Sequence, residues 1–368
     1  MRVLFAGGGT GGHLYPGLAI ARALVRLEPR AEPFFIGAER GIEREVLPGT
    51  EFPHLLLDLH PLYRQRPWHN WRTLRGFASA WGALGRLTSE APPAALVATG
   101  GYAAGAALAW AAARGIPIAI QEQNSSPGAT VRLFTRWARD VYLGFPEAEA
   151  ALPHRGATTF LDTGNPIEPP PVPRPPRAEA RRRWQLPDDG RVLLVFGGSQ
   201  GARALNDAVS AWIDAGLPPG LSLVWATGRK EFERYARHEG PRVRVRPYIA
   251  PMTDAYAAAD LAVARAGAMG TAEMCAWGIP ALLVPLPTAA ADHQTVNARA
   301  LAAAGAARWL PQRELGADRL AREIGALLRD EATLATLAQG ALARARPDAA
   351  ATIARRVLTL AQLHQLDP

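Results

Sequence analysis

Short apolar runs alternate along the chain with longer segments whose apolar residues recur at helical spacing. Arg2 to Ala6, Pro33 to Gly37, His54 to Asp58, Ala94 to Ala98 and Pro117 to Ile120 predict buried strands. Between them, Gly17 to Glu28, Asn70 to Glu90 and Tyr102 to Arg114 predict helices. Strands separated by helices imply an α/β fold, a parallel sheet covered on both faces. The alternation stops at Asn165 to Pro176, where seven prolines exclude a helix or a central strand. It resumes with Val192 to Phe196, Ser222 to Ala226, Arg242 to Arg246, Leu261 to Ala264 and Ala281 to Val284. Helical segments near 317–329, 332–345 and 349–363 close the chain.

Two domains are therefore expected, residues 1–163 and 164–346, with the proline run as their connector and about 347–368 returning to the first. Each domain opens with an apolar strand that runs into glycines and then a helix: Val3 to Gly9, and Leu194 to Ser199. Two such domains would face each other across a cleft, with ligands beyond the carboxyl ends of their strands.

Composition narrows the partners. The chain has 368 residues, 48% hydrophobic and 20% charged, which excludes disorder as its main theme. Lys plus Arg is 41 against 33 for Asp plus Glu, a net charge of +8, and Lys230 is the only lysine. An arginine surplus suits an anionic partner such as nucleic acid, anionic lipid or a phosphorylated substrate. A single cysteine, Cys275, excludes an internal disulfide framework and a multi-cysteine zinc site, and its apolar setting predicts an inert thiol. No apolar window is long enough to cross a membrane, no signal peptide is read, and a cytoplasmic protein is expected.

Glycine-rich turns carry the candidate chemistry. Gly7 to Gly12 precedes His13, and glycines let a ligand approach the backbone where helix-start amides favour negative charge. Gly7, Gly9 and Gly12 fit the dinucleotide fingerprint literally, with Glu39 as a late acidic partner, and a plain tight turn is the alternative. Gly197 to Ala202 forms a second such turn, and neither ends in the Gly-Lys-Ser/Thr of a P-loop. In a third, Arg265 to Glu273, the carboxylate either accepts a ribose diol or is an ordinary acid near a helix start. Gly100 to Gly105, Gln121 to Asn124 and Asp292 to Asn297 add polar clusters at strand ends.

The ordered set Gly-Gly-Thr-Gly-Gly-His at 8–13, Gly-Gly-Tyr at 100–102, Glu-Gln-Asn at 122–124 and Gly-Asn-Pro at 164–166 is more specific. It continues with Gly-Gly-Ser-Gln-Gly-Ala at 197–202, the Gly267 to Glu273 segment and His-Gln-x-x-Asn-Ala at 293–298. In these motifs the chain resembles the MurG family of glycosyltransferases of bacterial peptidoglycan synthesis. The resemblance implies a GT-B fold of two Rossmann-like domains, acceptor site in the first and nucleotide-sugar site in the second. It implies transfer of N-acetylglucosamine from UDP-N-acetylglucosamine to the C4 hydroxyl of the muramyl sugar of undecaprenyl-linked lipid I, giving lipid II with inversion. It also implies the residues. Glu273 would hold the ribose and the Ile249 backbone would read uracil. Ser199 and the amides of Ala268, Met269 and Gly270, beside Thr271, would contact the pyrophosphate. Gln294 and Asn124 would contact the sugar, and Thr10, Gly11 and Gly12 would close over the donor. His13, Glu122 and Tyr102 would form the catalytic and acceptor region.

The chain departs from the family pattern at two places. Glu168 stands where the family commonly has Arg, with Arg174 as a candidate substitute, and Gln121 stands where the family often has His. His13 is therefore the first candidate for the base that takes the acceptor proton, and Glu122 the second. No Asp-x-Asp element appears, so a metal-independent transferase without cofactor is expected, UDP-N-acetylglucosamine being a substrate. Arg64, Arg66, Trp68, Trp71, Arg72, Arg75, Phe77 and Trp81 form a basic–aromatic stretch. It reads either as a patch for the cytoplasmic membrane surface and its anionic lipids or, at Trp71, Leu74, Ala78 and Trp81, as partly core. A nucleotide-sugar isomerase of the UDP-N-acetylglucosamine 2-epimerase type is the nearest alternative. An NAD-dependent dehydrogenase is weaker, and without a recognition helix or aromatic RNA motif no nucleic-acid partner is expected.

Overall fold

The computed structural model describes residues 1–61, 67–89, 91–154, 156–198 and 202–366. The chain divides into two compact units, Met1–Glu168 with the stretch from Pro347 onward, and Pro169–Arg346.

The first unit holds β1 (Arg2–Gly7), β2 (Glu32–Ala38), β3 (His54–Leu57), β4 (Ala95–Gly100), β5 (Ile118–Glu122), β6 (Ala138–Leu143) and β7 (Thr159–Asp162). These strands pair in parallel in the order β3-β2-β1-β4-β5-β6-β7. Its helices are α1 (Gly11–Leu27), α2 (Glu43–Val46), α3 (Asn70–Ser89), α4 (Ala104–Ala113) and α5 (Ala129–Phe134). In the second unit, β8 (Arg191–Phe196), β9 (Leu221–Ala226), β10 (Val243–Arg246), β11 (Leu261–Ala264), β12 (Ala281–Leu283) and β13 (Arg308–Trp309) form the parallel order β10-β9-β8-β11-β12-β13. Its helices are α6 (Arg177–Arg183), α7 (Arg203–Ala215), α8 (Phe232–Tyr235), α9 (Thr253–Ala258) and α10 (Ala268–Trp277). They continue with α11 (His293–Ala303), α12 (Ala317–Arg329) and α13 (Glu331–Arg344). The last helix, α14 (Ala349–Leu366), belongs to the first unit.

Side-chain alternation along β1 explains the layers. Val3 and Phe5 pack with Leu14, Leu18 and Ala21 of α1 and with Ile353 and Val357 of α14. Leu4 and Ala6 pack on the opposite face with Leu84 of α3 and Leu108 and Trp110 of α4. Ile353 and Val357 are completely buried, each contributing about 1.5–3 kcal/mol of burial energy. Arg356 of α14 adds a fork to the buried Asp140 of β6 at 2.9 and 3.0 Å, and the Tyr142 hydroxyl donates to the same carboxylate at 3.0 Å.

Three strands lay outside the expected set, and α1 starts earlier than expected. β6 begins Ala-Arg-Asp, so its apolar run is masked by a charge that Arg356 neutralises from far along the chain. β7 and β13 are short edge strands without a marked apolar run. α1 begins at Gly11 rather than Gly17, because Pro16 lies inside it and costs only the bond toward the Gly12 carbonyl. Gln121 and Glu122 are the last residues of β5 rather than part of the loop after it.

Strand order reverses direction between β1 and β4 in the first unit and between β8 and β11 in the second. At such switch points the loops leave the sheet on opposite faces and open a crevice at the carboxyl ends. The four glycine-rich turns, after β1, β4, β8 and β11, all lie there. Cys275 is buried in α10, and burial pushes its thiol up to about 11, as an inert cysteine requires.

Candidate active site

Glycines shape the first-unit turns by what lies against them. Gly9 adopts a φ of +87°, and Tyr102 packs its ring edge where a side chain at Gly9 would stand. Gly101, at φ +76°, lies beneath the His13 ring and against the Gly8 carbonyl. The Gly8 amide donates to the Gly100 carbonyl at 3.3 Å, which ties the two turns together.

His13 is the third residue of α1 and not a loop residue, which corrects the expected placement. Its Nδ1 lies 3.1 Å from the Thr10 hydroxyl. Thr10 occupies the position before the helix and directs its hydroxyl to the imidazole, not to a helix amide. In the tautomer whose Nδ1–H donates to that oxygen, Nε2 carries the lone pair a base needs.

Glu122 is set differently. Its Oε1 accepts from the Asn124 amide and its Oε2 from the Gly128 amide, both at 2.9 Å. Burial raises its carboxyl above the ordinary range, and the two amide donors work against that rise. The side chain thereby closes the loop from β5 into α5 around Asn124.

Two residues absent from the sequence-derived set organise these turns. Glu43 opens α2 and is completely buried. Its Oε2 accepts from the Gly9 amide at 2.9 Å and its Oε1 from the Ala38 amide at 3.1 Å. The Gly9 amide is therefore directed to the protein's own carboxylate. Asn165 donates to the Gln123 carbonyl at 3.0 Å and accepts from the Gln121 amide at 3.1 Å. Gln121, completely buried, also accepts from Gln123 at 2.5 Å, so it belongs to an internal amide lattice. The Gly-Asn-Pro motif was visible as a string; its buried lattice was not.

In the second unit, α10 starts after Gly267, a residue with no side chain to cap the amides that follow. Ala268, Met269, Gly270 and Thr271 form its first turn, where backbone N–H groups and the helix dipole favour an anion. The Thr271 hydroxyl turns back to the Gly267 and Ala268 carbonyls at 3.0 Å, and buried Asn297 donates to the Ala266 carbonyl at 3.1 Å. Arg265, buried at the end of β11, donates to the Val284 and Pro285 carbonyls at 3.0 and 3.2 Å and to Gln312 at 2.6 Å. Burial lowers its guanidinium to about 10, which leaves it charged at neutral pH. Gln294 of α11 accepts from the Leu286 amide at 3.0 Å and fixes the loop beyond β12.

Glu273 sits partly exposed in the second turn of α10, and the Tyr256 hydroxyl donates to its Oε2 at 2.6 Å. Ile249 is buried between β10 and α9. Ser199 lies outside the described residues, as do Arg64 and Arg66. Arg174, the candidate substitute for the family arginine, is turned toward the C-terminal end of α10. Its guanidinium donates to the Ala276 and Trp277 carbonyls at 2.8 and 3.1 Å, at the far end of α10 and about 15 Å from the first turn.

The basic–aromatic stretch occupies an exposed helix face. α3 buries Gly76, Ala80, Leu84 and Thr88, whereas Trp68, Trp71, Leu74 and Phe77 are 69%, 54%, 72% and 38% exposed. Of the possible core residues only Trp81 packs inward, with the Arg114 guanidinium 5.6 Å from its ring. Arg72 and Arg75 are exposed beside them, and Leu133 and Trp137 expose further apolar surface. No described helix is long and apolar enough to cross a membrane.

Residues 3–143 match the model of the glycosyltransferase family 28 N-terminal domain, and residues 192–353 match that of its C-terminal domain. The UDP-N-acetylglucosamine–N-acetylmuramyl-(pentapeptide) pyrophosphoryl-undecaprenol N-acetylglucosamine transferase of Salinibacter ruber is 42% identical, over 99% of this chain and 98% of its own. The crystal structure of MurG from Acinetobacter baumannii superposes with a TM-score of 0.76 at 29% identity, covering 97% of this chain and 99% of that one. The chain belongs to the MurG family of glycosyltransferases. It is a hexosyltransferase of GT-B type, as the MurG resemblance of its motifs implied. A UDP-GlcNAc 2-epimerase from Neisseria meningitidis shares the fold, with a TM-score of 0.64 at 14% identity over 98% of this chain and 100% of that one.

Proposed function

We propose that the protein transfers N-acetylglucosamine from UDP-N-acetylglucosamine to the C4 hydroxyl of the muramyl sugar of undecaprenyl-linked lipid I, forming lipid II. The observation that carries this reading is the pairing, over almost the whole chain, of MurG-family similarity with MurG motifs at both sheet switch points. In this reading the second unit binds the donor. Glu273 accepts the ribose hydroxyls, the Ile249 backbone reads uracil, and Gln294 and Asn124 contact the sugar. The first-turn amides of α10, with Thr271 behind them, bind the pyrophosphate, and Ser199 is assigned to the same group. Those amides stabilise the charge that develops on the leaving UDP, and Thr10, Gly11 and Gly12 are the first-unit residues assigned to the donor. His13 takes the proton of the attacking hydroxyl, with Tyr102 and Glu122 shaping the acceptor side. No metal or cofactor enters this scheme.

The exposed face of α3, with Trp68, Trp71, Phe77, Arg72 and Arg75, rests in this reading on the anionic cytoplasmic face of the membrane that carries the acceptor. Vesicle flotation checks it: binding should require anionic lipid and fall when Arg72 and Arg75 are reversed in charge. Labelled UDP-N-acetylglucosamine given with and without a lipid I analogue tests the function. Acceptor-dependent label transfer that survives EDTA is expected. Acceptor-independent conversion to another UDP-sugar would overturn it in favour of an epimerase.

A further inference from the structure

We propose that Tyr256 is a positioning residue that orients the Glu273 carboxylate toward the ribose diol, setting nucleotide selectivity without touching the nucleotide. This rests on the reading of Glu273 as the ribose-holding carboxylate. Glu273 and Trp277 are four residues apart on α10 and so share one face of that helix. The Tyr256 ring packs on Trp277 at 5.8 Å and meets Phe196 edge-on at 6.3 Å. Held on both sides, the ring sends its hydroxyl one helical turn back to Glu273 Oε2 at 2.6 Å.

Tyr256 is 4% exposed, so its hydroxyl is tied to a protein partner and kept from competing water. Burial, followed by the charge of Glu273, raises the phenol well above its ordinary range. It stays a donor at every working pH. A carboxylate offers two oxygens with about four acceptor positions, and a fixed donor on one edge of Oε2 sets where the others point. Tyr256 follows Ile249 by seven residues, so one segment carries both the backbone expected to read the base and the hydroxyl that aligns the ribose acceptor.

Affinities for UDP and 2′,3′-dideoxy-UDP test this, measured by calorimetry on the full chain. Tyr256→Phe removes one oxygen and keeps the ring between Phe196 and Trp277. The expected result is an unchanged dideoxy-UDP affinity and a preference for UDP reduced about fivefold to tenfold, less than the loss of a whole charge-assisted hydrogen bond because the ribose contacts are misaligned rather than removed. A general packing defect would weaken both ligands equally and would overturn the proposal. So would a Tyr256→Phe preference equal to the parent's. Glu273→Gln separates the two claims. If it loses the preference while Tyr256→Phe keeps it, only the role of Tyr256 fails. If Glu273→Gln also keeps it, the ribose reading and the proposal fall together.

Discussion

Carboxylates stand at the carboxyl ends of both sheets, but the two units hold them by different donors. In the first unit Glu43 and Glu122 are buried, and the two oxygens of each accept from main-chain amides. In the second unit Glu273 is partly exposed and is held by the side chain of Tyr256. A carboxylate with both oxygens on main-chain amides maintains a loop, and moving it takes the partner from both donors. A partly exposed carboxylate with a phenol donor on one oxygen is within reach of a solute. An acid beside a glycine-rich turn is therefore not by itself a ligand contact; the donors around it decide.

The proposed reading gives chemistry in the first unit to His13. His13→Ala should lower kcat about a thousandfold, the range for loss of a general base, with UDP affinity little changed. A Glu122→Gln loss equal to or larger than that of His13→Ala would move the base to Glu122.

Glu43→Gln should come next. A glutamine can accept through only one atom, so either the Gly9 or the Ala38 amide loses its partner. Stability should fall by about 2 kcal/mol in urea melts. With the turn displaced, kcat should fall about tenfold, again without loss of UDP affinity. Weakened UDP binding would break the division between the units.

The smallest expected effect is a pH dependence at Glu122. Burial raises its carboxyl, so the folded protein keeps a proton that the unfolded chain has already released. That contribution to stability is complete below the unfolded carboxyl range and disappears as pH rises through the folded value. The stability of the parent relative to Glu122→Gln should therefore decrease with rising pH across that window, measured by denaturant titration. A difference that stays flat or grows with pH would show the amide donors outweighing burial.

Strands β1, β4, β8 and β11 were legible because each centres on an apolar run and leads into a glycine-containing turn. β6 was not, since its buried Asp140 is paired with Arg356, an exposed residue more than two hundred positions away, and a buried charge reads as surface. The motif residues marked the right turns, but motifs do not disclose hydrogen-bond partners. Glu43 sits outside the glycine string it supports, and Tyr256 lies on a different helix from the carboxylate it holds. Arg174 shows the converse: its sequence position suited a substitute for the family arginine, while its guanidinium caps the other end of α10. On α3 the buried stripe is Gly76, Ala80, Leu84 and Thr88, so Trp71 and Leu74, which look like core by periodicity, face outward while Trp81 packs inward.

The assignment of recognition to Glu273 is tested most directly by UDP titration of the parent and of Glu273→Ala. Loss of two hydrogen bonds from a charged acceptor should weaken UDP about a hundredfold while the variant melts like the parent. An unchanged UDP affinity in a folded Glu273→Ala protein would contradict it.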